Sequence, residues 1–278
     1  MMVGVHNRPA SRAISLAVGV FAVVWILPVL WVLILSFKPN EVLMLSGDPV
    51  WVPPFTFKNY INIMETSSVF RWLLNSAIVS VSATVGVLFV SSLAGYGFAR
   101  LNFPFRRTLF VIVLIGLAIP EQAVIIARHQ LFTDWNLHNT YTGLVLPHLS
   151  LPFGVFLMTQ FFRGIPREQD EAAILDNASR FKVFWSVLLP QSMPVQATLG
   201  IFTFLLVWND YFWPLISATR PEMYTLTVGI ASVQGNFAQS EGLGYLMAQA
   251  VFAGLPALIV YLIFQKQIIG AAAGTAGR

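Results

Sequence analysis

The chain has 278 residues, 56% of them hydrophobic and 10% charged, with a formal net charge of +4 and a mean hydropathy of +0.72. Ordinary soluble domains carry roughly 25% charged residues, so this composition defines a polytopic membrane protein and leaves no room for a large soluble domain. The absence of cysteine excludes disulfides, thiolate nucleophiles and Cys metal sites, and the small positive excess speaks for membrane orientation rather than a nucleic-acid partner.

Six spans are expected, at about Ala13–Phe37, Leu73–Ala99, Thr108–Ile126, Thr142–Phe162, Val195–Ile216 and Leu243–Phe264. Each is near the ~20 residues that cross a bilayer core, and backbone groups in lipid must be satisfied internally, so all are helices. The first resembles a secretory signal only in following Arg8 and Arg12; it is too long for a signal core and no small-residue cleavage site follows it, so an uncleaved span is expected.

Charge asymmetry sets the sidedness. With the N-terminus inside, Arg8, Arg12, Arg100, Arg106, Arg107, Arg163, Arg167, Arg180, Lys182, Lys266 and Arg278 are cytoplasmic, and Lys38, Lys58, Arg71, Arg128 and Arg220 are outside. That is eleven against five, in the sense of the positive-inside bias. The expected organisation is a cytoplasmic N-terminus at 1–12, a membrane domain at 13–264 with a cytoplasmic loop at 163–194, and a cytoplasmic tail at 265–278. The tail is small and is expected to be a flexible end. Trp51, Trp72, Trp135 and Trp213 fall near outer interfaces, where amphipathic rings anchor a helix.

The 163–194 loop is the most distinctive polar stretch. Pro166 suits a first helical turn, and Glu168, Asp170 and Glu171 suit the positive end of a helix dipole. Ala172 and Ala173 favour helix and allow close approach by another protein. Asn177 tolerates the left-handed conformation that ends a helix. A second helix can start near Arg180, with Phe181, Phe184, Trp185 and Leu188 forming one apolar stripe before Pro190 and Pro194 close the segment. The physics alone leaves two readings open, an amphipathic connector on headgroups and a docking surface for a soluble partner.

Glu171, Ala172 and Ala173, then Asp176, Asn177, Val187, Leu189 and Pro190, keep a spacing that resembles the coupling motif of permease subunits of bacterial ATP-binding-cassette importers. The motif reads Glu-Ala-Ala, three residues, Gly, nine residues, an aliphatic residue and Leu-Pro; here Asn177 stands at the Gly, and both residue types tolerate positive φ. The segments Trp51 to Tyr60, Asn75-Ser76, Ala94 to Pro104 and Trp208 to Leu215 are similar to the carbohydrate branch, of the maltose and glycerol 3-phosphate type. The resemblance implies an all-α type I importer permease fold with six transmembrane helices and a cytoplasmic coupling helix, in a bacterial cytoplasmic membrane. It implies a second permease subunit, two ATP-binding subunits carrying ATP and magnesium, and an extracytoplasmic sugar-binding protein. Glu171, Ala172, Ala173, Asp176 and Asn177 would couple to the ATPase. The segment from about Ala218 to Gly242 is similar to the one that probes the binding protein, and its polar run at Ser232–Ser240 is expected to be a flexible loop.

A charge within a span is expensive and usually faces the bundle interior. Glu121 and Asp210 are such residues, lying roughly 20 Å and 22 Å along their spans at ~1.5 Å per residue, in the outer half. Trp208, Asn209, Asp210 and Tyr211 offer amides, a carboxylate and aromatic faces for a sugar, and with Glu121 they are the expected lining of a substrate path. The alternative role for Asn209 and Asp210 is interhelical hydrogen bonding. His148 is expected to be a structural hydrogen-bonder. No histidine pairs with a nucleophile at a recognisable spacing, and no Walker-type loop occurs, so no catalytic residue, metal or cofactor is expected on this chain. A secondary sugar carrier, the alternative, would need internal repeats, and none is evident.

Overall fold

The computed structural model describes residues 9–45, 49, 51–66, 68–240 and 242–276, and within them every regular element is helical. In chain order these are α1 (Pro9–Ser36), α2 (Asn40–Leu45), α3 (Lys58–Thr66), α4 (Val69–Arg100), α5 (Arg106–Ile115), α6 (Ile125–Asp134), α7 (Tyr141–Leu149), α8 (Pro152–Gly164), α9 (Glu168–Leu175), α10 (Arg180–Val183), α11 (Leu189–Gln191), α12 (Met193–Trp208), α13 (Phe212–Ser217), α14 (Leu226–Ser240) and α15 (Gly242–Ala276). Arg8 and Arg278, counted on the inner side, lie outside the described residues. The chain forms two compact units, Met1–Ser67 with Ala231–Leu255, and Ser68–Ile230 with Pro256–Arg278.

In the first unit α1 is apolar on every side and little of it is buried, the composition of a helix that faces lipid or another membrane helix. Its C-terminal end is closed by Asn59, whose Nδ2 donates to the carbonyls of Ser36 and Lys38, both at 2.9 Å. Tyr60 adds a 2.7 Å contact to the Ser36 hydroxyl, and the Gly244 amide donates to Asn40 Oδ1 at 2.8 Å. The Asn59 bonds satisfy carbonyls at the end of α1, and Asn40 satisfies an amide in the first turn of α15, groups that helix ends otherwise leave unpaired.

The second unit is built around α4, which packs against α8, α12 and α7. The approach of α4 and α8 is set by small residues: a methyl group on Gly95 would lie 2.6 Å from Met158 Cβ, and one on Gly154 would overlap the Ser91 hydroxyl. Small residues at a crossing let backbones come close where there is no hydrophobic drive between helices. Toward the Arg100 end of α4 the core comprises Tyr96, Met158, Phe162, Phe184, Leu188 and Leu199. A second cluster toward its other end comprises Val79, Ala83, Phe132, Leu144, Val207 and Trp213.

Among the described residues, three helical segments are long and apolar enough to cross a membrane: Ile14–Ser36, Val69–Arg100 and Gly242–Gln265. The expected third and fourth spans are bent pairs instead, turning by 100° between Ala118 and Glu121 and by 46° between Leu149 and Pro152. The expected fifth is α12, of 16 residues, followed by a break at Asn209 and Asp210 before α13. The breaks have local causes. Pro120 and Leu151 are extended, with ψ of 135° and 99°, and Leu151 is held out of helix by the proline that follows it.

Other expectations change as well. The polar run Ser232–Ser240 is part of α14 rather than a loop, and α15 carries helix through the tail as far as Ala276. Both segments are rich in residues compatible with helix and lack an internal proline in those stretches. Trp72 and Trp213 are buried, not interfacial: their indole N–H groups donate to the carbonyls of Pro221 and Gly143, at 3.1 and 2.9 Å. Trp51 and Trp135 are exposed.

Candidate functional site

The 163–194 loop folds as a helix, a left-handed turn and a second helix. After Pro166, α9 opens with Glu168, Asp170 and Glu171 in its first turn, where unpaired amides favour carboxylates. Asn177 ends it at φ +58°, and the Ala178 amide reaches back to the Ala173 carbonyl at 3.0 Å, the geometry of a left-handed helix stop. Ser179 then caps α10 by accepting from the Lys182 amide at 3.3 Å.

The expected stripe of the second helix is divided. Phe184 and Leu188 are buried, whereas Phe181 and Trp185 are 66% and 42% exposed. Residues Phe184–Leu188 form a π-helical turn, whose wider winding breaks the 3.6-residue registry. Pro190 and Pro194 stand in the first turns of α11 and α12 rather than closing a helix, positions where a missing N–H costs nothing.

Side chains from the membrane helix α4 hold this loop from behind. Arg100 Nε lies 3.1 Å from Asp170 Oδ2, and its Nη2 donates to the Ile165 carbonyl at 2.7 Å. One helical turn earlier, the Tyr96 hydroxyl donates to the Arg180 carbonyl at 3.0 Å. Gln191 Nε2 donates to Gln169 Oε1 at 2.7 Å, and Ala173 and Ala178 pack on the core cluster of Tyr96, Phe162 and Phe184. Asp170 and Ala173, three residues apart, thus define the inward face of α9. Glu171, Ala172, Asp176 and Asn177 are exposed, together with Ile174 (42%) and Leu175 (84%). Of the two alanines, only Ala172 lies on the open face; Ala173 is half-buried.

Arg100 and Tyr96 were not singled out from sequence as parts of this site, and Asp170 reads there only as a carboxylate at the start of a helix. The signal was present in the spacing: Tyr96 and Arg100 are one turn apart at the inner end of a span, where a cation entering a helix bundle needs a carboxylate.

The helix breaks gather the intramembrane polar residues. Glu121 follows the bend at Pro120, and its Oε1 accepts from Arg128 Nη1 at 2.7 Å. His148 Nε2 lies 3.5 Å from Asp210 Oδ2. Glu121, Arg128, His148, Ser150 and Thr203 share the wall of a cavity of about 600 Å³ with Leu206 and Val207. Asp210 also shapes the chain: its Oδ1 accepts from the amides of Phe212 (3.0 Å) and Trp213 (3.4 Å), capping α13, and its carbonyl accepts from the Thr227 hydroxyl at 2.8 Å. The neighbouring residues are spread around the break. Trp208 is buried and stacked on Phe204, Asn209 bonds back to the Leu205 carbonyl, and Tyr211 is 41% exposed. The Arg128 guanidinium sits 5.2 Å from the centre of the buried Trp213 ring, a favourable cation–π placement.

Broken apolar helices around a mostly apolar cavity that carries a few polar side chains, with an exposed helix–turn–helix tied to the end of a central span, are the build of a multi-pass membrane protein. Residues 88–270 match the family of binding-protein-dependent transport system inner membrane components, and the chain belongs to it. It is similar to the diacetylchitobiose uptake system permease protein NgcG of Streptomyces coelicolor, at 34% identity over 90% of this chain and 83% of that one. It is also similar to the arabinooligosaccharides transport system permease protein AraQ of Bacillus subtilis, at 32% identity over 92% of each. The fold matches a chain from the crystal structure of a bacterial ABC transporter involved in import of the acidic polysaccharide alginate, with a TM-score of 0.80 and 20% identity, covering 96% of this chain and 99% of that one.

Proposed function

We propose that this chain is a permease subunit of an ATP-driven sugar importer, that it forms half of the translocation path, and that ATP-driven motion enters it through α9. The observation that carries the coupling role is the two-sided build of α9. Its inner face is fixed to α4 by the Arg100–Asp170 pair, while Glu171, Ala172, Leu175, Asp176 and Asn177 are left open to a partner. A helix fixed on one side and open on the other transmits a push to the span that holds it. The partner is a cytoplasmic ATPase carrying ATP and magnesium, two copies serving this subunit and a second permease subunit. Both termini are on the cytoplasmic side, and all six apolar segments, the 16-residue α12 included, act as spans.

The carbohydrate cargo is supported by the names of the similar permeases, which serve diacetylchitobiose and arabinooligosaccharides. Within this chain Glu121 and Asp210 line the path at the helix breaks, with Trp208, Asn209 and Tyr211 at the break of the fifth span contributing as it opens. An extracytoplasmic sugar-binding protein delivers the cargo.

The test is Ala172→Trp in the assembled transporter. The ATPase should be lost on purification, or ATP hydrolysis should continue without uptake, while the subunit keeps its thermal melt. Full binding-protein-stimulated uptake of labelled oligosaccharide by this variant overturns the coupling role. Uptake that survives ATP depletion but collapses with the ion gradient overturns the importer reading.

A further inference from the structure

A second built pocket lies at the other side of the inner end of α4. Arg106, Arg107, Arg163 and Arg167 converge with Phe110 and Val111 around a cavity of about 500 Å³. Among the described residues none of the four arginines is paired with a carboxylate, whereas the adjacent Arg100 is neutralised by Asp170. Two of them are held in place. The Arg163 guanidinium lies 5.0 Å from the centre of the buried Phe110 ring, and Arg106 Nη1 donates to the Leu101 carbonyl (2.8 Å) and to Asn102 Oδ1 (3.1 Å). Like charges gathered around one cavity repel one another unless an anion sits between them, and guanidinium groups suit phosphate oxygens.

The pocket also has an apolar exit. From Arg107 the helix α5 continues into Val111, Ile112 and Ile115, each more than half exposed. The basic mouth therefore leads directly onto the apolar flank of a membrane helix. A soluble phosphate fits the mouth alone; a molecule with a phosphate head and an acyl tail fits both parts.

We propose that this arginine pocket binds the headgroup phosphate of an anionic phospholipid of the inner leaflet, with an acyl chain laid along α5. The site depends on α5 and α8 being membrane helices and is independent of which sugar is carried. Basic pockets between membrane helices on the cytoplasmic side are suited to such headgroups. Held there, the lipid ties the start of α5 to the end of α8.

The experiment uses the assembled transporter, stripped of lipid in mild detergent and titrated with phosphatidylglycerol or phosphatidylcholine of the same acyl chains, with bound lipid read by native mass spectrometry. Phosphatidylglycerol should bind more tightly than phosphatidylcholine. Each arginine near an anionic headgroup contributes about a fivefold factor, so Arg107→Gln with Arg163→Gln should weaken the tightest phosphatidylglycerol site by about 25-fold. Arg107→Lys with Arg163→Lys should keep most of that affinity. Equal binding of the two lipids, or undiminished phosphatidylglycerol binding by the glutamine pair, overturns the proposal. On the wild-type assembly, phosphatidylglycerol should shield Arg107 and Arg163 from arginine-directed modification, which holds the proposal to account even if the variants fail to assemble. Equal shielding by inorganic phosphate at the same concentration overturns the lipid as the occupant.

Discussion

Asp170→Asn removes the negative charge opposite Arg100 while keeping the shape of the side chain. The Arg100 side chain is 4% exposed and that of Asp170 16%, with 3.1 Å between Nε and Oδ2. Removing one member of a buried pair costs about 3–5 kcal/mol, because the remaining charge is left without a partner. Here Arg100 keeps its bond to the Ile165 carbonyl and Asp170 is not fully buried, so the lower end, about 3 kcal/mol, is expected. At ~2–4 °C per kcal/mol for a chain of this size, the thermal midpoint should fall by about 6–12 °C. Glu171→Gln, a charge loss on the exposed face of the same helix, should stay within about 0.5 kcal/mol. Uptake should fall further than ATP hydrolysis in Asp170→Asn, because α9 then moves without carrying α4. A double cycle of Asp170→Asn with Arg100→Met should show a non-additive term of about 1–3 kcal/mol. A midpoint unchanged by Asp170→Asn together with an additive cycle refutes the anchoring of α9 through this pair.

Asn177→Gly should leave stability within a few tenths of a kcal/mol, whereas Asn177→Val, forced to φ near +58°, should lose about 1–2 kcal/mol and bind the ATPase less well, as read by thermal melt and co-purification. Gly95→Ala places a methyl group 2.6 Å from Met158 Cβ and 2.9 Å from its carbonyl carbon and should lower the thermal melt by a destabilisation of about 1–3 kcal/mol; Met158→Ala, which keeps that Cβ, should not restore it. Asp210→Ala removes the cap of α13 and should cost about 1 kcal/mol, while Asp210→Asn, which can still accept both amides, should melt almost normally. Normal uptake by both Asp210 variants would remove this carboxylate from the substrate path.

The helices were readable from hydropathy because a bilayer leaves the backbone no other arrangement, and α9 with its stop at Asn177 was readable because capping is a local matter. Span continuity was not. Pro120, Pro152 and the Asn209-Asp210 pair each announce a break, but whether a break becomes a slight kink or a 100° turn depends on what packs around it. At Asp210 the deciding contacts come from Thr227, seventeen residues on, and from His148 on another helix. The same limit explains Trp72 and Trp213. Their composition fits an interfacial anchor, and only the carbonyls of Pro221 and Gly143, far away in sequence, turn them inward. In the 163–194 loop the motif marks the exposed face, Glu171 and Ala172, whereas the face packed on α4 is defined by Arg100 and Tyr96, some seventy residues earlier. A local motif identifies a surface through which two proteins can touch. On the proposed coupling role, force applied there reaches α4 through the long-range Arg100–Asp170 pair behind it, so mutations at Arg100 or Asp170 should leave the ATPase docked while uptake falls, whereas Ala172→Trp acts on the docking surface itself.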